Sequence, residues 1–127
     1  MITQKDYCDY DTCAVLMELG YYYTSHYNWR AKDDYLPATA YWRVDMIPMI
    51  HLYDAQKWLR EEKELYVFVG REWENAYYYW ISKKIDDKTV GITHSFYYAN
   101  GEGQFSSYEE ALLEGIKEAI KILKEEK

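Results

Sequence analysis

The C-terminal stretch limits the fold more than any other part of the chain. From residue 107 on, Ala111, Leu112, Gly115, Ile116, Ala119, Ile120 and Leu123 recur at steps of three and four, the spacing of one helical face. Ser107-x-x-Glu110 just before them is a capping box, in which Ser caps one backbone N–H and Glu reaches back to another. Lys residues gather toward the end, where the helix dipole favours them. A helix with one apolar face is marginal alone and needs a second layer to bury that face.

The preceding residues offer strands for that layer. Leu65 to Val69 is apolar on both faces, which predicts a central strand, with a bulge or an early end at Gly70. Ala76 to Lys84 is Tyr-rich, Asp86-Asp87-Lys88 turns the chain, and Ile92 to Ala99 alternates Ile92, His94, Phe96 and Tyr98 against Thr93, Ser95 and Tyr97. Asn100 to Gly103 reads as a loop. Further toward the N-terminus, Thr12 to Leu19 predicts a short helix capped by Asp11 and ended by Gly20. Tyr21 to Arg30 and Ala40 to Met46 predict two neighbouring strands joined through a turn at residues 31–34. His51 to Glu62 predicts a second helix that buries Leu52, Ala55 and Leu59, flanked by Trp58, and turns Gln56, Lys57 and Arg60 outward. Pro37 and Pro48 are expected between elements. The order is α-β-β-α-β-β-β-α. Its short links predict an α+β fold with an antiparallel sheet of about five strands and three helices, forming one domain over residues 1–127.

Composition narrows the function. Apolar residues make up 49% of the 127, enough for one core. No apolar run is long enough to cross a membrane, and the first residues carry no apolar secretory signal, so the expected address is the cytoplasm of a bacterium or of an infected host cell. Cys8 and Cys13 stand alone, and a structural zinc site wants a second such pair; the expectation is free thiols and no metal or other cofactor. The net charge is −7, with acidic side chains in excess in both halves, which argues against non-specific nucleic-acid binding. His26, His51 and His94 are widely separated, paired carboxylates fall in turns and at helix ends, and no hydrolase, P-loop, zincin or dinucleotide motif is present. No enzyme is expected.

Thr12 to Tyr21 (TCAVLMELGY), Gln56 to Lys63 (QKWLREEK) and Ser107 to Ile120 (SYEEALLEGIKEAI) together resemble a family of small uncharacterised proteins. The family comes from gut Bacteroides-type bacteria and the phages and mobile elements that infect them. It shows a helix ending in a Gly-aromatic pair, a central helix much like Gln-Lys-Trp-Leu-Arg-Glu, and a final helix opening with Ser or Thr, Tyr-Glu-Glu-Ala. This chain departs from the pattern at Met46 to Ile50, where relatives carry a Thr-Ala-Pro-Thr-like lead-in, and its middle strands are richer in Tyr. The resemblance implies a mobile-element accessory protein acting between phage and host. It assigns no site residue.

The outlying feature is 16 Tyr beside five Trp. Tyr joins an apolar ring to a polar tip and suits surfaces that are both contacted and wet. Arginines accompany the tryptophans: Trp29-Arg30, Trp42-Arg43, Trp58-x-Arg60 and Arg71-x-Trp73. Aromatic faces stack planar rings, and Arg forks hold phosphate or carboxylate. Trp29, Arg30, Trp42, Arg43, Lys57, Arg60 and Trp73 are therefore the expected ligand-binding residues, although neighbours on a strand point to opposite faces. Two functions follow: a non-enzymatic counter-defence protein that sequesters a nucleotide-like signalling ligand, or a protein-interaction module that inhibits or decoys a host protein through a Tyr-rich surface. Either predicts a homodimer, because an exposed aromatic face needs cover.

Overall fold

The computed structural model describes residues 4–21, 27–32, 34–37, 47–73, 76–95 and 105–125. The chain divides into two compact units, Met1–Ala55 and Gln56–Lys127, and each carries its own three-stranded antiparallel sheet. The fold is α+β and the expected order of elements holds, with one short strand added. The described strands number six rather than five, and they fall in two sheets rather than one.

In the first unit a 3-10 turn at Gln4–Asp6 leads into α1, Tyr10–Glu18. Asp9, not Asp11, is the cap: its side chain accepts the Thr12 N–H at 2.9 Å. Starting the helix two residues early turns Thr12, Cys13 and Leu16 inward. Gly20 ends it with a φ of 113°, a conformation that suits glycine. There the Tyr21 N–H reaches Leu16 O at 2.9 Å and the Gly20 N–H reaches Met17 O at 3.1 Å, which closes off the last turn.

Strand β1, Tyr27–Ala31, lies between β2, Asp34–Pro37, and β3, Ile47–Pro48. The strand expected from Tyr21 is thus described from Tyr27 on. Residues 22–26 and the strand expected at Ala40 to Met46 lie outside the described residues. The hairpin partner of β1 is β2, which the sequence did not mark. Pro37 and Pro48 do not fall between elements; they end β2 and β3. Both are edge strands, where a missing N–H is tolerated.

Helix α2, Leu52–Lys63, buries Leu52, Ala55, Trp58 and Leu59. Lys63 Nζ sits 5.4 Å from the centre of the Trp58 ring. Gln56 does not face away: its Nε2 donates to Val67 O at 2.7 Å. Lys57 and Arg60 are exposed, as expected.

The second unit's sheet runs β4 (Leu65–Trp73), β5 (Ala76–Ile85), β6 (Lys88–His94), with β5 in the centre. The expectation that β4 is central is corrected. Leu65 and Val67 are buried, but Tyr66 and Phe68 point to the other, open face, and aromatic residues there imitate a strand buried on both sides. Gly70 does not end β4, which continues to Trp73. Strand β6 starts at Lys88, not Ile92, because Asp86 and Asp87, with φ of 49° and 66°, make a two-residue turn that sets Lys88 directly opposite Ile85. Residues 96–99 and the loop expected at Asn100 to Gly103 lie outside the described residues.

Helix α3, Tyr108–Glu125, packs on β4 and β5. Ser107 Oγ accepts the Glu110 N–H at 3.2 Å, the first arm of the capping box. The Glu110 carboxylate accepts instead from Ser106 Oγ at 2.9 Å. Ala111, Leu112, Gly115, Ile116, Ala119 and Ile120 are buried. Full burial of Leu112 and of Ile116 stabilises by about 2 kcal/mol each.

Candidate functional site

Helix α3 covers one face of the second sheet. Directly paired residues share a face, so the register places Tyr66 with Ser82, Phe68 with Trp80 and His94, and Gly70 with Tyr78 on the other face. Four rings there form a continuous ribbon. Tyr66 stacks on Phe68 at 6.1 Å between centroids, Phe68 on Trp80 at 5.0 Å, and Trp80 on Tyr78 at 5.7 Å, with interplanar angles of 14°, 21° and 30°. Each separation is in the range of favourable ring pairing.

Two backbone features make the ribbon. Gly70 leaves room for the Tyr78 ring: a Cβ there would lie 2.5 Å from Tyr78 Cζ. On β6 the register shifts, so that Ile81 faces Thr93 while Ser82 faces Gly91, and Ile92 is the extra residue. Such bulges re-aim a side chain and bend the strand. Ile92 stays 43% exposed and lines an open groove of about 520 Å³ with Tyr78, Trp80, Ile81, Thr93, His94 and the bare backbone of Gly91. Phe68 is 36% exposed; Tyr66, Tyr78 and Trp80 are half-buried and His94 is exposed. Among the described residues, the groove lining holds no Lys, Arg, Asp or Glu. Such a surface binds by stacking and apolar contact, with the phenol, indole and imidazole as polar handles. Among the described residues no group of three or more His, Cys, Asp or Glu could hold a metal ion.

The described residues among those expected to bind a ligand are not in the lining of this groove. Trp29, on β1, is 1% exposed, with Tyr10 and Tyr35 edge-on against it at 6.3 and 5.9 Å. Arg30 follows it on the strand and is exposed, and both its Nε and its Nη2 lie 2.7 Å from Asp34 Oδ2. Trp29 and Arg30 therefore point to opposite sides. Lys57 and Arg60 lie exposed on α2. Trp73 ends β4 opposite Ala76. Trp42 and Arg43 lie outside the described residues. Among the described residues, Arg71 lies 5.9 Å from the centre of the Tyr77 ring.

The ribbon residues were visible in sequence as two alternating pairs, Tyr66/Phe68 and Tyr78/Trp80, once the strand face was known. No family model matches the chain, and no curated protein or solved structure matches it.

Proposed function

We propose that this chain is a non-catalytic binding module that engages a protein partner through the aromatic ribbon of its second sheet. The observation that carries this reading is the four-ring stack lying open on the face away from α3 and running into a groove whose described lining carries no Lys, Arg, Asp or Glu. Stacked rings are already ordered, so docking costs little side-chain entropy. Tyr and Trp with an apolar body and a polar tip are the residue types that dominate interface energetics. In the phage and mobile-element setting that the resemblance implies, the partner is a host protein that the module inhibits or decoys.

The alternative, sequestration of a nucleotide-like ligand, uses the same capacity for stacking but also needs a cation for phosphate. Among the described residues the groove lining supplies none, and Arg30 is already engaged by Asp34. That reading rests on the exposed Lys57 and Arg60 of α2 and on Trp42 and Arg43, which lie outside the described residues, and is kept as the competing outcome.

The test compares the wild-type chain with Phe68→Ala and Trp80→Ala as bait in a lysate of a gut Bacteroides-type host, after a melting curve shows that each variant folds. A stoichiometric protein should bind the wild type, and loss of a central ring should weaken it by about 30-fold, the effect of a hot-spot residue worth about 2 kcal/mol. Equal capture by all three baits sinks the ribbon as the interface. A melting shift with a nucleotide panel and no captured protein moves the assignment to the ligand reading.

A further inference from the structure

The first unit holds a second unusual cluster, around its two free cysteines. Cys8 and Cys13 are both fully buried. Cys13 lies in the first turns of α1, and its thiol donates to Cys8 O at 3.4 Å while its sulfur accepts the Ile50 N–H at 3.4 Å. Cys8 is pinned by its own N–H to Ile50 O at 2.8 Å. Beside them stands the buried indole Nε1 of Trp29, which completes no hydrogen bond in this geometry but lies close enough to Cys13 to favour its thiolate. A buried donor left unpaired is destabilising and calls for an explanation.

The two thiols are unequal. Burial pushes Cys13 up, but the hydrogen bond from Cys8, the Ile50 amide and the nearby Trp29 indole outweigh it and hold Cys13 below the ordinary thiol value. Its hydrogen bond to Cys13 and its burial push Cys8 well above that value. The Asp9 carboxylate raises both. One sulfur is thus the better thiolate, and its neighbour keeps the proton. This is the division between an attacking and a resolving cysteine.

We propose that Cys13 is a peroxide-sensitive site: its sulfur takes up an oxygen that the Trp29 indole N–H receives, and Cys8 then displaces that oxygen to close a Cys8–Cys13 disulfide. In the first step the Cys13 thiolate attacks hydrogen peroxide. An S–O bond forms, the O–O bond breaks and hydroxide leaves; the sulfur is oxidised by two electrons and the peroxide is reduced. In the second step the Cys8 sulfur, losing its proton, attacks the Cys13 sulfur. The S–S bond forms, the S–O bond breaks, and the oxygen leaves as water. Both sulfurs are closed to solvent, so reaction passes through local opening of the segment before α1, where the Gln4–Asp6 turn buries no residue. That route admits a peroxide of nearly water size and holds back a bulky disulfide such as oxidised glutathione. The site belongs to the first unit and does not depend on what docks on the ribbon.

The test treats the full chain with hydrogen peroxide, blocks remaining thiols after unfolding, and reads the peptides by mass spectrometry. The wild type should form one Cys8–Cys13 disulfide with hydrogen peroxide and none with oxidised glutathione. In Cys8→Ser the oxidation should stop at a Cys13 sulfenic acid, trapped by dimedone. Trp29→Phe, which keeps a ring and removes the N–H, should slow that trapping about tenfold, as expected for one lost hydrogen bond to a charged group. Phe68→Ala should oxidise like the wild type. Two cysteines that stay reduced under peroxide, a tag on Cys8 in place of Cys13, or an unchanged rate in Trp29→Phe would each overturn the proposal.

Discussion

Gly115 sits where α3 passes close over the sheet. A Cβ at this position would lie 2.7 Å from Val67 Cγ1 and 3.1 Å from Tyr79 Cβ. Two effects of Gly115→Ala oppose each other. Alanine is the better helix former by about 1 kcal/mol, while forcing a methyl into a packed contact costs about 1–3 kcal/mol. Tyr79 Cβ is fixed to the strand backbone and the β-branched Val67 is stiff about χ1, so packing wins. Gly115→Ala should destabilise the protein by about 1–2 kcal/mol in chemical denaturation; a gain in stability would show that the helix can lift off the sheet at little cost. At Gly70 the obstruction is the far end of the Tyr78 ring, which can move, so a side chain there disturbs the ribbon before it disturbs the fold. Both glycines interrupt apolar runs in the sequence, yet nothing local told that one admits a helix and the other a ring. That distinction is set by cross-strand and helix–sheet contacts with partners 8 to 48 residues away, about which periodicity is silent.

Individual elements were more legible than their partners. The capped final helix, the stripe of α2, the glycine stop after α1 and the Asp86-Asp87 turn all follow from local chemistry, and all are present. Assignments that needed knowledge of a neighbour fared worse. Strand β4 reads as central because Tyr66 and Phe68 imitate buried residues, and β2 was missed because Asp34–Pro37 is four residues long and ends in proline. The aromatic ribbon was legible as an excess of Tyr, but its membership required the β4–β5–β6 register and the bulge at Ile92. The same hairpin offers a test of turn chemistry. Asp86 and Asp87 both occupy the left-handed region, which costs a residue with a Cβ about 1–2 kcal/mol, while glycine at the second position is the favoured choice. Asp87 makes only a long contact of 4.0 Å with Lys84, and such an exposed pair contributes little. Asp87→Gly should therefore raise stability by about 0.5–1 kcal/mol, after the entropy cost of the extra freedom is subtracted. A lower melting temperature would mean that the acidic pair is held there by something other than its backbone shape.

At the scale of the whole molecule, the division at Ala55 and Gln56 falls inside α2. The helix therefore carries residues of both units: the Ala55 N–H donates to His51 O at 3.0 Å, and the Gln56 side chain donates to Val67 O at 2.7 Å. Propagation along a helix favours both of its ends being formed together, and its nucleation is costly. This predicts a single cooperative unfolding step for the wild type. Gln56→Ala removes only the side-chain bond to Val67 and should cost about 1 kcal/mol, with the transition still single. Gln56→Pro also removes a helical N–H and sets a ring against the preceding turn, at a cost of about 3 kcal/mol or more. If the helix is what joins the two units thermodynamically, the proline variant should unfold in two steps, separable by hydrogen exchange of amides in β1 and in β5. If it unfolds in one step at a lower denaturant concentration, the coupling does not run through α2. If the wild type already unfolds in two, each unit is stable by itself and the helix is only a tether.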